Sequence, residues 1–145
     1  MAKEVLVLNG PNLNMLGVRE PGTYGAQTLA DIEAMCLAEG EALGLSVECR
    51  QSNHEGELVT WIQQALGRFA AIVINPGAYS HTSVAIHDAI RAVALPVIEV
   101  HISNIYTREA FRHHSYVSPV ASGVLCGFGP LGYRLALVAL ADKLK

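Results

Sequence analysis

The stretch AAIVINPGAYSHTSVAIHDAIRAVALPVIEVHI, residues 70–102, decides the fold. It opens with AAIVIN, a short β-branched run that Asn75-Pro76-Gly77 brings to a stop. Ala85, Ile86, Ala89, Ile90 and Val93 then recur at helical spacing, and Pro96 opens a second apolar run, PVIEVHI. Strand, helix and strand in this order form a βαβ unit, whose crossover joins two parallel strands.

The same alternation continues in both directions. EVLVLN (residues 4–9) reads as the first strand. From Thr28, a candidate N-cap with Asp31 three residues on, Leu29, Ile32, Met35, Cys36 and Leu43 trace a helix that Leu43-Gly44 ends. SVECRQ is strand two. Leu58, Trp61, Ile62, Ala65 and Leu66 mark a second helix stopped by Gly67. Residues 103–119 are irregular and polar, GVLCGF is a short fifth strand, and Pro130 at a first helical position starts a helix through Leu135, Val138 and Leu140.

Five strands and four helices predict an α/β fold of flavodoxin-like type: a doubly wound five-stranded parallel sheet in a single domain over residues 1–145. Such folds bind ligands at the carboxyl ends of their strands, where this chain carries Asn9, Asn75, Glu99 and His101. Residues 10–27 and 103–119 are long connections and therefore candidate functional loops, the first with a mobile portion around residues 17–26.

Composition excludes several classes. A net charge of −3 without a basic run leaves no footprint for nucleic acid or an anionic membrane. The apolar start ends at Asn9-Gly10, too short for a signal segment, and no run approaches the ~20 residues of a membrane span, so a cytoplasmic location is expected. Cys36, Cys49 and Cys126 are widely spaced, without a C-x-x-C pair, and read as core thiols. With 51% hydrophobic and only 16% charged residues, homo-oligomerisation is expected.

The loop NGPNLNMLGVREPGTYG gathers Asn12, Asn14, Arg19, Glu20 and Tyr24 among glycines and prolines. A guanidinium beside a phenol favours tyrosinate, so Arg19 next to Tyr24 suits a base; equally, Tyr24 packs on the loop while Arg19 pairs with Glu20. Spacing leaves both open. Glu99 and His101, two apart on a strand, share a face, and a carboxylate there orients and charges an imidazole, as a general acid requires. Val97, Ile98 and Val100 mark that strand as buried, where a carboxylate without a partner is costly.

Asn75, His81 and the hydroxyls of NPGAYSHTS, at a helix start, suit hydroxyl or carboxylate recognition, while Thr82 or Ser83 is an ordinary N-cap. Asp88 lies on a largely apolar helix, either serving a partner or the site or simply exposed. Arg108 and Arg112 are four apart and, if that segment is helical, share a face able to grip an anionic or polyhydroxylated ligand. The adjacent His113 and His114 point apart, with no Cys cluster or H-E-x-x-H to make a metal site.

Gly127 to Gly132 spells G-x-G-x-x-G between a strand and a helix. No second strand bearing a ribose-binding acid follows before Lys145, so the glycines read as a tight turn. Lys3, Lys143 and Lys145 all lie near the termini, leaving no interior lysine for a Schiff base. A phosphoacceptor aspartate after strand three is also missing, since Asn75 stands there.

NGPNLNMLGVREPGTYG, QSNHEGELV, INPGAYSHTSVAIHDAI, EVHISNI, REAFRHHS and GFGPLGY together resemble the successive motifs of the type II 3-dehydroquinate dehydratases, across nearly the whole chain. The resemblance implies a hydro-lyase of the shikimate pathway, serving aromatic amino acid biosynthesis, that converts 3-dehydroquinate to 3-dehydroshikimate by anti elimination through an enolate. It implies no metal or organic cofactor and a homo-dodecamer built as a tetramer of trimers. By matching motif, Tyr24 is the base held as tyrosinate by Arg19, Asn12 helps stabilise the enolate oxygen through water, and His101 is the acid oriented by Glu99. The backbone amides of Ile102 and Ser103 take the substrate carboxylate. Asn75, His81 and Arg112 bind ring hydroxyls, Arg108 sits on the closing loop, and Asp88 supports the site, from its own or a neighbouring subunit. Two rivals stand beside this reading: a flavodoxin-like nucleotide- or flavin-binding module, and a lyase acting on a related hydroxy-keto acid.

Overall fold

Strand parity organises the protein. In the computed structural model, which describes residues 2–18 and 27–145, Val5 and Val7 of the first strand enter one apolar cluster while Leu6 and Leu8 enter another. Alternate side chains of a strand leave on opposite faces, so a strand apolar at every position is one covered on both sides. Five strands, β1 (Lys3–Asn9), β2 (Leu45–Gln51), β3 (Ala71–Asn75), β4 (Val97–His101) and β5 (Gly123–Cys126), form a fully parallel sheet in the order β2-β1-β3-β4-β5, with the less buried β2 and β5 at its edges. This is the flavodoxin-like order, with the switch point between β1 and β3.

Helices α1 (Leu29–Ala42) and α4 (Leu131–Lys143) cover one face, and α2 (Glu55–Ala65) and α3 (Val84–Val93) the other. Ile32 and Cys36 of α1 and Tyr133, Ala136, Leu137 and Leu140 of α4 pack on Val5, Val7, Val73 and Val100. Leu58 and Ile62 of α2 and Ile86, Ile90 and Val93 of α3 pack on Leu6, Leu8, Ile72 and Ile74. Among the described residues no helix is long and apolar enough to cross a membrane.

The capping signals at Thr28 and Ser83 act as expected. Thr28 and Asp31 form a complete capping box, and Ser83 is the hydroxyl that caps α3 by accepting from the amide of Ile86. Ends of the first four strands shift by one residue, Pro130 is the N-cap of α4 instead of its first helical residue, and two stretches differ further from expectation. β5 ends at Cys126, two residues early, because Gly127 takes φ 91° and turns the chain. Residues 103–119 are more regular than their composition suggests, holding the short 3-10 turns Ile105–Thr107 and Ala110–Arg112 and the start of Ser118–Val120. Of the cysteines only Cys36 is fully buried, since Cys49 and Cys126 lie on the edge strands.

At the carboxyl end of the sheet, β1 and β3 leave together, and the amide of Gly10 donates to the Asn75 carbonyl at 2.8 Å. A Cβ at Gly10 would lie 2.4 Å from the carbonyl oxygen of Pro76, a backbone atom that cannot swing aside. Gly10→Ala is therefore expected to cost about 1–3 kcal/mol, the range for overpacking. A denaturation midpoint equal to that of the native chain would contradict this close approach.

Candidate active site

β4 supplies the central chemistry through the same parity. Ile98 and Val100 belong to the α1/α4 side, so Val97, Glu99 and His101 project to the α2/α3 side. Glu99 and His101 thus share a face at the strand's end, with His101 Nε2 2.5 Å from Glu99 Oε2. Glu99 is wholly buried, and it also accepts from Ser115 Oγ at 2.7 Å and Ser118 Oγ at 2.5 Å. Burial is the largest single influence on its carboxyl and opposes ionisation. The bonds and charge of His101, with the bonds of Ser118 and Ser115, together outweigh it, and hold the group below its ordinary 4.5. An ionised carboxylate only accepts, so Nε2 carries the hydrogen and Nδ1 is the nitrogen left to the site.

The opposite parity builds a second network. Asn9 ends β1 and Asn75 ends β3, both on the α1/α4 side, and α4 brings Tyr133 beneath them. The Tyr133 hydroxyl donates to Asn9 Oδ1 at 2.5 Å and accepts from Asn75 Nδ2 at 2.9 Å. Asn75 Oδ1 in turn accepts from the amide of Gly77 at 3.1 Å, so its amide plane is held from both ends. Burial pushes the Tyr133 phenol above its ordinary 10.0.

Between and above these networks lies a cavity of about 130 Å³. Asn12, Asn75, His81, His101, Ile102, Ser103, Arg108 and Arg112 line it, with Leu13, Leu16 and Ile105 as apolar wall. Asn12 reaches it from a left-handed conformation, φ 68°, pinned by its amide donating to Asn53 Oδ1. His81 stacks near His101, ring centroids 6.4 Å apart, and its Nδ1 donates to the carbonyl of His114 at 2.8 Å. Desolvation lowers its pKa from 6.5 against the pull of that carbonyl, so His81 is neutral at pH 7. Arg112 is held by Glu109 at 2.7 Å, and Arg108 Nη1 lies 3.4 Å from Ser103 Oγ.

Eight of the twelve residues expected at the site from sequence therefore meet at one cavity. Glu99 stands behind His101 and out of the cavity wall. Arg19 and Tyr24 lie outside the described residues, as does Glu20. Asp88 is exposed on α3 and does not line the cavity of its own chain. Arg108 and Arg112 do not share a helix, since Arg108 is extended between two 3-10 turns, yet both reach the cavity. Asn9, expected at the strand ends, is buried and serves Tyr133.

Gly127 to Gly132 is a strand-to-helix turn. Its amides at Gly127 and Gly129 donate to the carbonyls of His101 and Ile102, which anchors the end of β4. Sequence reading missed Ser115, Ser118 and Tyr133. The first two lie in a segment without periodicity, and Tyr133 looks like one more apolar helix position. Among the described residues no group of three His, Cys, Asp or Glu side chains is placed to hold a metal ion.

An oriented imidazole, a neutral second imidazole and two guanidiniums around a small polar cavity, at the carboxyl end of a doubly wound sheet, define an α/β enzyme suited to acid–base chemistry on a small anionic molecule. Comparison with known proteins makes this specific. A model of the class II dehydroquinases matches residues 3–141. A 3-dehydroquinate dehydratase of Chelativorans sp. is 66% identical over 145 residues, covering 99% of this chain and 100% of that protein. Another, from Mesorhizobium japonicum, is 67% identical over 143 residues, covering 98% and 99%. The crystal structure of a type II dehydroquinase from Propionibacterium acnes superposes with a TM-score of 0.94 at 51% identity, over 98% of each chain. The chain belongs to the class II dehydroquinase family.

Tyr133→Phe tests the second network. It leaves Asn9 Oδ1 and Asn75 Nδ2 buried without a partner, an expected loss of about 2 kcal/mol or more at pH 7. The sign with pH follows from the raised phenol. Below pH 10.0 the neutral form contributes in full, and above it the unfolded chain ionises Tyr133 first, so stability falls as pH rises. Denaturant titrations from pH 7 to 11 should show that fall in the native chain and a flatter one in Tyr133→Phe. Parallel curves would contradict the assignment.

Proposed function

We infer that the protein dehydrates 3-dehydroquinate to 3-dehydroshikimate in the shikimate pathway, by anti elimination through an enolate. The observation that carries this reading is the buried Glu99–His101 pair beside a cavity bearing Arg108 and Arg112, in a chain of the class II dehydroquinase family. An acid of this kind suits a hydroxyl that must leave as water.

In this reading Tyr24, held as tyrosinate by Arg19, takes the proton next to the ketone, and the electron pair moves onto the carbonyl oxygen as an enolate. Asn12 stabilises that oxygen through water. The enolate then collapses, expelling the hydroxyl, which leaves as water with a proton from His101. The Ile102 and Ser103 amides take the substrate carboxylate, Asn75, His81 and Arg112 hold ring hydroxyls, and Arg108 closes over them. The ketone passes through an enolate and never through an imine, so no lysine is required, in keeping with a chain whose lysines are Lys3, Lys143 and Lys145. A homo-dodecamer, a tetramer of trimers, brings Asp88 of one subunit toward the site of another; the exposed place of Asp88 on α3 supports this.

Purified protein mixed with 3-dehydroquinate is expected to produce a conjugated enone, seen as rising ultraviolet absorbance, at a rate that a chelator leaves unchanged. No turnover by the folded, assembled protein would overturn the reading and favour a binding module. Tyr24→Phe should lower kcat by about 10²-fold or more while leaving assembly intact, the scale of a lost acid–base group. Near-native turnover in that variant would remove Tyr24 as the base.

A further inference from the structure

Two hydroxyls outside the cavity wall converge on the carboxylate that orients the acid. Ser115 Oγ donates to Glu99 Oε2 at 2.7 Å, and Ser118 Oγ donates to Glu99 Oε1 at 2.5 Å. The direction of the Ser115 bond follows from counting. A hydroxyl has one hydrogen and two lone pairs. The amides of Val117 and Ser118 both donate to Ser115 Oγ, at 3.1 and 3.2 Å, which occupies its lone pairs and leaves its hydrogen only the carboxylate. Glu99 therefore takes three donors, two hydroxyls and His101 Nε2, on two oxygens.

We propose that Ser115 and Ser118 are positioning residues for the acid: they clamp Glu99 as a carboxylate in one orientation, so that the proton of the pair stays on His101 Nε2 and Nδ1 serves the cavity. The role of His101 as acid rests on the function proposed above; the clamp itself does not. A wholly buried carboxyl short of donors takes up a proton, and a protonated Glu99 no longer needs the imidazole hydrogen. The clamp opposes that transfer. Both serines lie on the segment whose Val117 packs against the α2/α3 core, so the fold presents them to Glu99 without help from a ligand.

Ser118→Ala is the cleaner probe, because Ser115→Ala also strips two backbone amides of their acceptor. The titratable and charged groups on the elements around the pair include His81 from the turn after β3, His87 of α3, which bonds the Tyr116 carbonyl, Arg108, Arg112, His114 and Tyr116 from the 103–119 segment, and Cys126 beside His101 in register on β5; all are unchanged in this variant. Two readouts are taken on the assembled protein. In the carbon NMR spectrum of the free protein, the Glu99 carboxyl should protonate at higher pH in Ser118→Ala than in the native chain. With 3-dehydroquinate, kcat should fall by roughly tenfold, as for one lost bond to a charged group, with KM moved by less than about twofold. Ser118→Thr, which restores the hydroxyl, should recover both.

An unchanged carboxyl titration overturns the proposal, as does a loss that Ser118→Thr fails to restore. If Ser118→Ala does not fold, Ser118→Cys, whose thiol donates weakly, carries the same prediction. If the native chain shows no turnover, the proposed function fails, and the carboxyl titration alone decides whether the clamp exists.

Discussion

A carboxylate with no exposed surface, Glu99, is the constraint on which the site depends. Such a group costs several kcal/mol in lost hydration unless hydrogen-bond donors take the place of the lost water. Here the donors are three residues on two stretches of chain: His101 on the same strand, and Ser115 and Ser118 on the segment that crosses the sheet's carboxyl end. Satisfying the charge therefore also orients the imidazole and pins the segment. The 103–119 connection is ordered around Glu99, and through it Arg108 and Arg112 reach the cavity.

The sheet makes this possible by separating two duties. On β4, odd positions send Glu99 and His101 toward the α2/α3 side, while Ile98 and Val100 fill the α1/α4 core. On β1 and β3 the last odd positions face the other way, so Asn9 and Asn75 meet Tyr133. One network sets a proton donor and the other sets an amide that lines the cavity. Both meet the cavity at the carboxyl ends of β1, β3 and β4, beside the switch point at which a doubly wound sheet opens a crevice.

The fold was legible because strand and helix periods are local. Residues 70–102 carry both periods and the turn chemistry between them, and the capping signals at Thr28 and Ser83 are short-range. The Glu99–His101 pair was legible for the same reason, since a spacing of two on one strand guarantees a shared face. Ser115 and Ser118 were not, because their partner lies 16 and 19 residues away and only tertiary packing joins them. Tyr133 was hidden by its own helix, where apolar spacing gives no hint of a hydroxyl bridging two strands. Arg108 and Arg112, which would share a face only if their segment were helical, both line the cavity through two separate turns. Family membership adds what no spacing in this chain supplies, the reaction class.

The central claim, that an ionised Glu99 holds His101 in its working state, is tested most directly by Glu99→Gln, which removes the charge and keeps the shape. The account predicts a folded, assembled protein whose kcat with 3-dehydroquinate falls by about 10²-fold or more, the scale of general acid catalysis, with KM little changed. A Glu99→Gln enzyme that turns over at the native rate would contradict it.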